Sequence, residues 1–177
     1  WDWDGTNWLR RNPAVSPAVR SDHGMAYDSV RSRVVLFGGF GNVRRSDTWE
    51  WDHSNWIQKV SSLSPGARDG LAMAFDAARG RTVLYGGNSS SGALGDSWEW
   101  NGSRWTQRLG AGPAARSAHA TAYDSVRPQV VLFGGADSGG NPVGDTWEWD
   151  SAGWVLRSAG GAGTPGVRYG HAMAYDA

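Results

Sequence analysis

Short apolar runs closed by paired glycines punctuate the chain: "VVLFGG" (34–39), "TVLYGG" (82–87) and "VVLFGG" (130–135). Four apolar or β-branched residues bounded by turn signals read as a strand buried on both faces. Upstream of each run lies "HGMAYD" (23–28), "LAMAFD" (71–76) or "HATAYD" (119–124), and "HAMAYD" (171–176) recurs once more. Downstream come "TWEW" (48–51), "SWEW" (97–100) and "TWEW" (146–149), whose paired tryptophans sit two apart and so share one strand face. Asp28 to Arg31, Asp76 to Arg79 and Asp124 to Arg127 read as hairpin turns. Each repeat therefore predicts four short strands, a to d in chain order. No ten-residue window carries a helical period.

The spacing W-x-W-x4-W starts at Trp1, Trp49, Trp98 and Trp147 and accounts for all twelve tryptophans, giving a period of 48 or 49 residues. A fixed period in this range marks a repeat architecture. Aromatics at strictly repeated positions read as core. A buried Trp hides roughly 150–250 Å², at most on the order of 4–6 kcal/mol at about 25 cal/mol/Å². The expected layout is strands c and d over 1–12, full four-stranded units over approximately 17–60, 65–109 and 113–157, and a last strand a over 165–177. One outer pair and one inner strand thus lack a strand b. Unpaired edges and bare apolar faces are avoided by isolated proteins. The expectation is a segment of a longer protein or a chain completed by another copy.

Composition narrows the chemistry. The 177 residues carry 17 basic and 17 acidic side chains and no cysteine. A balanced charge gives no basic face for nucleic acid. No apolar run is long enough for a membrane-inserted helix, and disulfides and thiolate metal sites are excluded. The chain starts inside a repeat, so no signal peptide is visible. The compartment stays open, with an extracellular or bacterial cell-surface setting favoured.

The Gly-Gly pairs 38–39, 86–87 and 134–135, the downstream tryptophans and the Arg-x-x-His lead into strand a (Arg20, Arg116, Arg168) closely resemble the kelch repeat, over essentially the whole chain. The resemblance implies an all-β fold, a β-propeller of kelch type, with one four-stranded antiparallel blade per repeat and strand a innermost around a channel. About 3.5–4 blades would lie in this chain, a partial ring, since six or seven at this period need about 290–340 residues. Some kelch-like propellers are copper oxidases whose cofactor needs a cysteine cross-linked to a tyrosine; without cysteine it cannot form here. No cofactor is expected.

Residues present in every copy are structural suspects first. Arg20, Arg68, Arg116 and Arg168 recur before strand a, and Glu50, Glu99 and Glu148, with Asp2, recur between paired tryptophans. The plain reading is charge pairing within the frame; the sharper one is a ring of arginines facing an anionic ligand at the channel mouth. His23, His119 and His171 share one register, with Leu71 in the second copy, which favours strand packing over a metal. No catalytic set is nominated: no nucleophilic triad, P-loop or dinucleotide fingerprint stands out, and no carboxylate pair is singled out.

What varies is the b–c loops, 40–47, 88–96 and 136–145, and the d–a loops, such as 61–68 and 162–169, which a meander places at one edge. Loops on a rigid scaffold are where binding usually sits. Arg44, Arg45, Asn88, Asp137 and Asn141 are the polar candidates, and Tyr169 is the spare aromatic. The expected function is a non-catalytic module that presents this rim to a protein or extracellular polymer. The alternatives are a carbohydrate-binding or carbohydrate-active propeller and a structural segment of a large surface protein. No nucleic-acid partner and no membrane insertion are expected; homo-oligomerisation is an open option.

Overall fold

A computed structural model describes residues 1–176. It is all-β: no helix occurs among the described residues, so none is long and apolar enough to cross a membrane. The strands are β1 (Asp2–Trp3), β2 (Trp8–Leu9), β3 (Gly24–Asp28), β4 (Arg33–Phe37), β5 (Thr48–Trp51), β6 (Trp56–Lys59), β7 (Ala72–Asp76), β8 (Arg81–Tyr85), β9 (Asn88–Ser89), β10 (Gly92–Ala93), β11 (Ser97–Trp100), β12 (Trp105–Arg108), β13 (Arg116–Ser117), β14 (Ala120–Asp124), β15 (Gln129–Phe133), β16 (Ala136–Asp137), β17 (Thr146–Trp149) and β18 (Trp154–Ser158). Three antiparallel meanders carry the fold: β3-β4-β5-β6, β7-β8-β11-β12 and β14-β15-β17-β18. They realise the expected order a-b-c-d. β1 and β2 form a hairpin of their own.

Eighteen strands replace the fifteen expected. The additional ones are two-residue strands in the loops: β9 pairs with β10 within one b–c loop, and β13 with β16, where the lead into strand a meets the residue after Gly-Gly; Ser21 with Phe40 and Asp69 with Asn88 are single bridges at the same place in the other repeats. The last inner strand is also different. Residues 171–176 make no strand pairing, and Ala177 lies outside the described residues. Strand a hydrogen-bonds only to strand b in every meander, and no strand b stands beside this segment.

The meanders pack face to face through the tryptophans. Between the first and second, Val35 and Phe37 meet Leu71, Met73, Leu84, Trp98, Trp100 and Trp105. Between the second and third, Ala74, Val83 and Tyr85 meet Val130, Leu132, Trp149 and Trp154. Alternation along one strand explains both cores, because Leu84 faces one neighbour while Val83 and Tyr85 face the other. Phe37 packs edge-on to Trp105 at 5.2 Å, and Tyr85 to Trp154 at the same distance. The last tryptophan of two repeats donates its indole N–H across the seam: Trp105 to Thr48 and Trp154 to Ser97, each at 2.9 Å.

The N-terminal copy departs from the expectation that all twelve tryptophans are core. Trp1, Trp3 and Trp8 are exposed. Among the described residues no strand b faces their hairpin as β4 faces Trp100 and Trp105 and β8 faces Trp149 and Trp154. Strands β3, β7 and β14 and residues 173–175 line one shared depression of about 470 Å³.

Candidate functional site

The glycine pairs fix the edge where the loops gather. Gly38, Gly86 and Gly134 have φ of 67°, 60° and 66°, and a Cβ on each would sit 2.6–2.7 Å from the carbonyl oxygen of Arg68, Arg116 and Arg168. Only glycine accepts both the left-handed backbone and that approach. The following glycine N–H groups then donate to the same three carbonyls, Gly39 to Arg68, Gly87 to Arg116 and Gly135 to Arg168, at 2.8–2.9 Å. A second set of bonds runs between repeats: Gly170 N–H to Ala118 O, Ala118 N–H to Gly70 O and Gly70 N–H to Asp22 O, at 2.7–2.8 Å. The rim loops therefore stand on a stapled backbone.

Three of the four recurrent arginines are paired within this frame. Arg20, Arg68 and Arg116 each make a bidentate pair, at 2.6 and 2.8 Å, with Asp47, Asp96 and Asp145 respectively. Each also donates to the carbonyl of the first glycine of its pair. The same aspartates accept the indole N–H of Trp49, Trp98 and Trp147 at 2.6 Å. Burial alone would raise the pKa of Asp47, Asp96 and Asp145; the arginine and indole hydrogen bonds outweigh it and hold them below the usual carboxylate range. Arg68 and Arg116 are 1% and 2% exposed, and a bidentate pair is the strong form of this contact. Arg168 differs: it is exposed, and its Nε donates to Gly166 O without an ion pair to a carboxylate among the described residues.

The acidic residues between paired tryptophans close a second network at the opposite edge. Glu50, Glu99 and Glu148 are buried and accept from Arg31, Arg79 and Arg127, which also bond Asp28, Asp76 and Asp124 of the a–b turns. A second cation nine residues on in strand d completes each: Lys59, Arg108 and Arg157. Asp2 has the corresponding partner Arg11 at 2.8 Å but no turn arginine.

The histidine register is packing. His119 lies edge-on to Tyr85 at 5.5 Å and His171 to Phe133 at 5.4 Å. Leu71 fills the same place in the core that holds Phe37. No cluster of three metal-binding side chains occurs among the described residues. His119 is 5% exposed, and neither ring nitrogen has a hydrogen-bond partner. Desolvation, with the Arg116 charge, pulls its pKa down to about 3.

The variable residues are divided by their contacts. Asn88 donates to Ser117 Oγ at 2.9 Å and knits two loops together. Asp137 accepts the backbone N–H groups of Gly139 and Asn141, and the Asn141 amide, within its own loop. Those bonds hold its carboxyl below the usual range, the Asn141 backbone contributing most. Arg44 makes an ion pair with Asp69 at 3.0 Å and stands 5.8 Å from the Phe40 ring. Arg45 makes no ion pair among the described residues, and its Nε has no partner. Beside them Phe40 and Val43 are exposed. Tyr169 is 59% exposed, next to exposed Val167 at the far end of the chain. The loop 40–45 thus combines two cations and two apolar side chains, and no other b–c loop does so. The sequence reading did not include Phe40 and Val43; their apolar character in a turn-rich loop was the available signal. No protein-family model matches the chain, and none of the curated proteins searched matches it.

Proposed function

We propose that the chain is a segment of a kelch-type β-propeller that acts as a non-catalytic binding module. Its b–c and d–a loops meet a protein or an extracellular polymer. One observation carries this reading: most side chains repeated in register are bonded within the frame, whereas Phe40 and Val43 are unmatched and exposed, with the unmatched Arg44 and Arg45 half-buried beside them. A patch with an aromatic and arginines is the composition enriched in protein interfaces. Three four-stranded meanders sharing one central depression support the blade arrangement.

Carbohydrate binding is the second reading, supported by the exposure of Tyr169, since aromatic side chains have an apolar body and a polar tip. A parallel screen on a glycan array and a protein array separates the two. The first reading expects protein hits that the Arg44→Ala/Arg45→Ala double variant loses. Glycan hits that survive this change and vanish with Tyr169→Ala would transfer the site to the other end of the rim.

A further inference from the structure

The seam between the second and third meanders holds a cavity of about 240 Å³. Both sheets that bound it have all four strands. Its wall includes Ser97, Arg108, Leu109, Gly110, Trp149 and Trp154, and no acidic side chain lines it. At about 30 Å³ of liquid volume each, it has room for about eight waters, and so for a ligand of about ten bonded heavy atoms.

The preceding seam explains how this space arises. There Ser61 accepts the backbone N–H of Trp105 at 3.1 Å. Gly110 stands in register with Ser61, as Arg108 does with Lys59. Gly110 has no hydroxyl, its φ is 149°, and nothing lies within 4 Å of where a Cβ would stand. Asp150 N–H donates to Gly153 O, so the next pair, Trp149 with Trp154, is the non-hydrogen-bonded kind and the Trp154 N–H turns away from β17. No acceptor meets it among the described residues. The first indole of the pair differs too: Trp100 donates to Glu50 at 2.8 Å, whereas the buried Trp149 Nε1 has no partner. Glu99, the counterpart of Glu50, is held by Arg79 and by Arg108, whose Nε bonds it at 2.8 Å, while Lys59 stands 3.6 Å from Glu50. Ser97 accepts the Trp154 indole N–H and keeps its own proton to donate.

We propose that this cavity is a binding site for a small amphiphilic carboxylate, an apolar ring or short chain that ends in a carboxylate group. The carboxylate accepts from the Trp154 N–H and the Ser97 hydroxyl, with the Arg108 guanidinium beside it. The apolar body lies along Leu109, Ala111 and the Trp154 indole. Donors without an acceptor, next to a cation, favour an anion, because charge-assisted hydrogen bonds are about twice as strong as neutral ones. Apolar walls with a few convergent polar groups are the usual make-up of a small-molecule site. The site uses none of Phe40, Val43, Arg44 and Arg45, so it stands independently of the rim reading.

The test titrates phenylacetate, and phenylacetamide as its neutral isostere, into the full chain and follows the backbone amides by NMR. Saturable binding of phenylacetate is expected with a dissociation constant of about 1 mM or tighter, and the Trp154 amide should be among the most shifted resonances. Phenylacetamide should bind roughly tenfold more weakly, the scale of one charge-assisted contact. Arg108→Gln should remove that preference and Arg108→Lys should keep most of it. Ala111→Leu, at an exposed position in the wall, narrows the cavity and should abolish binding. The Arg44→Ala/Arg45→Ala variant should bind as the wild type does. Absence of saturable binding overturns the proposal. So does equal binding of acid and amide by the wild type, which would leave an apolar cavity without a carboxylate site. Shifts centred away from Trp154 that Ala111→Leu does not alter would also overturn it.

Discussion

The last tryptophan of each repeat offers one side chain in four environments. Trp105 is 2% exposed and Trp154 8%, Trp56 is half-buried, and Trp8 is 63% exposed. A fully buried Trp removes up to about 250 Å² from water, or about 6 kcal/mol at about 25 cal/mol/Å² as an upper bound. Trp105 also donates to Thr48, and cutting that bond leaves a buried hydroxyl and costs about 1 kcal/mol more. Measured Trp-to-Ala changes in cores fall at about 3–5 kcal/mol because neighbours relax. We expect Trp105→Ala and Trp154→Ala to cost about 4 kcal/mol, Trp56→Ala about 2 kcal/mol and Trp8→Ala under about 0.5 kcal/mol. Urea unfolding followed by far-UV circular dichroism measures the series. Trp105→Phe keeps the ring contact with Phe37 and remains readable if the alanine variant does not fold. Equal costs at Trp8 and Trp105, or no cost at Trp105, would refute the reasoning that the seams are the core.

Other consequences follow from the frame. Gly87→Ala meets φ of 99° and places a Cβ 2.7 Å from Asp69 O, so a loss of about 3 kcal/mol or more is expected by thermal or urea unfolding. Ala118→Gly relieves a left-handed alanine at φ 52° and should raise stability by about 0.5 kcal/mol after the unfolded-state entropy of glycine is counted. His119 has a folded pKa below its ordinary 6.5, so the unfolded chain binds its proton first. Stability should therefore fall as pH drops from 6.5 toward about 3, at about 1.4 kcal/mol per unit at most. His119→Leu, which copies Leu71, should remove the His119 contribution to that slope in pH-dependent unfolding while the fold is kept, leaving those of His23 and His171, which burial also lowers. Asp47, Asp96 and Asp145 have lowered values, so their contribution is present above the ordinary carboxylate range and lost as pH falls below it in wild type and variant alike.

Much of the frame was readable because it repeats. The two-residue spacing of Trp98 and Trp100 put them on one face, and the Asp76 to Arg79 segment is the turn it was read to be. The Asp of each D-x-W keeps register with Arg20, Arg68 and Arg116, so those pairs were available as a co-recurrence that the sequence reading did not draw. What was hidden depends on neighbours. Trp8 and Trp105 occupy identical local sequence positions, yet only Trp105 has a strand b opposite it. The exchange of His119 for Leu71 makes sense only once Tyr85 and Phe37 of the preceding repeat are in place. On the rim, Asn88, Asp137 and Asn141 looked like ligand donors by type. In the structure Asn88 bonds the Ser117 hydroxyl of the next loop, and Asp137 bonds the backbone and Asn141 of its own turn, as short polar side chains do where a turn allows it.

The division between frame arginines and rim arginines is tested most directly by comparing Arg68→Ala with Arg44→Ala/Arg45→Ala for melting temperature and for binding on the protein array. Arg68→Ala should lower stability by about 3 kcal/mol, because Asp96 is left partly buried without its partner, and any protein still folded should keep its hits. The double variant should melt within about 1 kcal/mol of wild type, since the Arg44–Asp69 pair is partly exposed, and should lose them. A stable Arg68→Ala chain that loses binding, or a double variant that keeps every hit, would contradict the assignment of the conserved-in-register arginines to the frame and of the unmatched ones to the site.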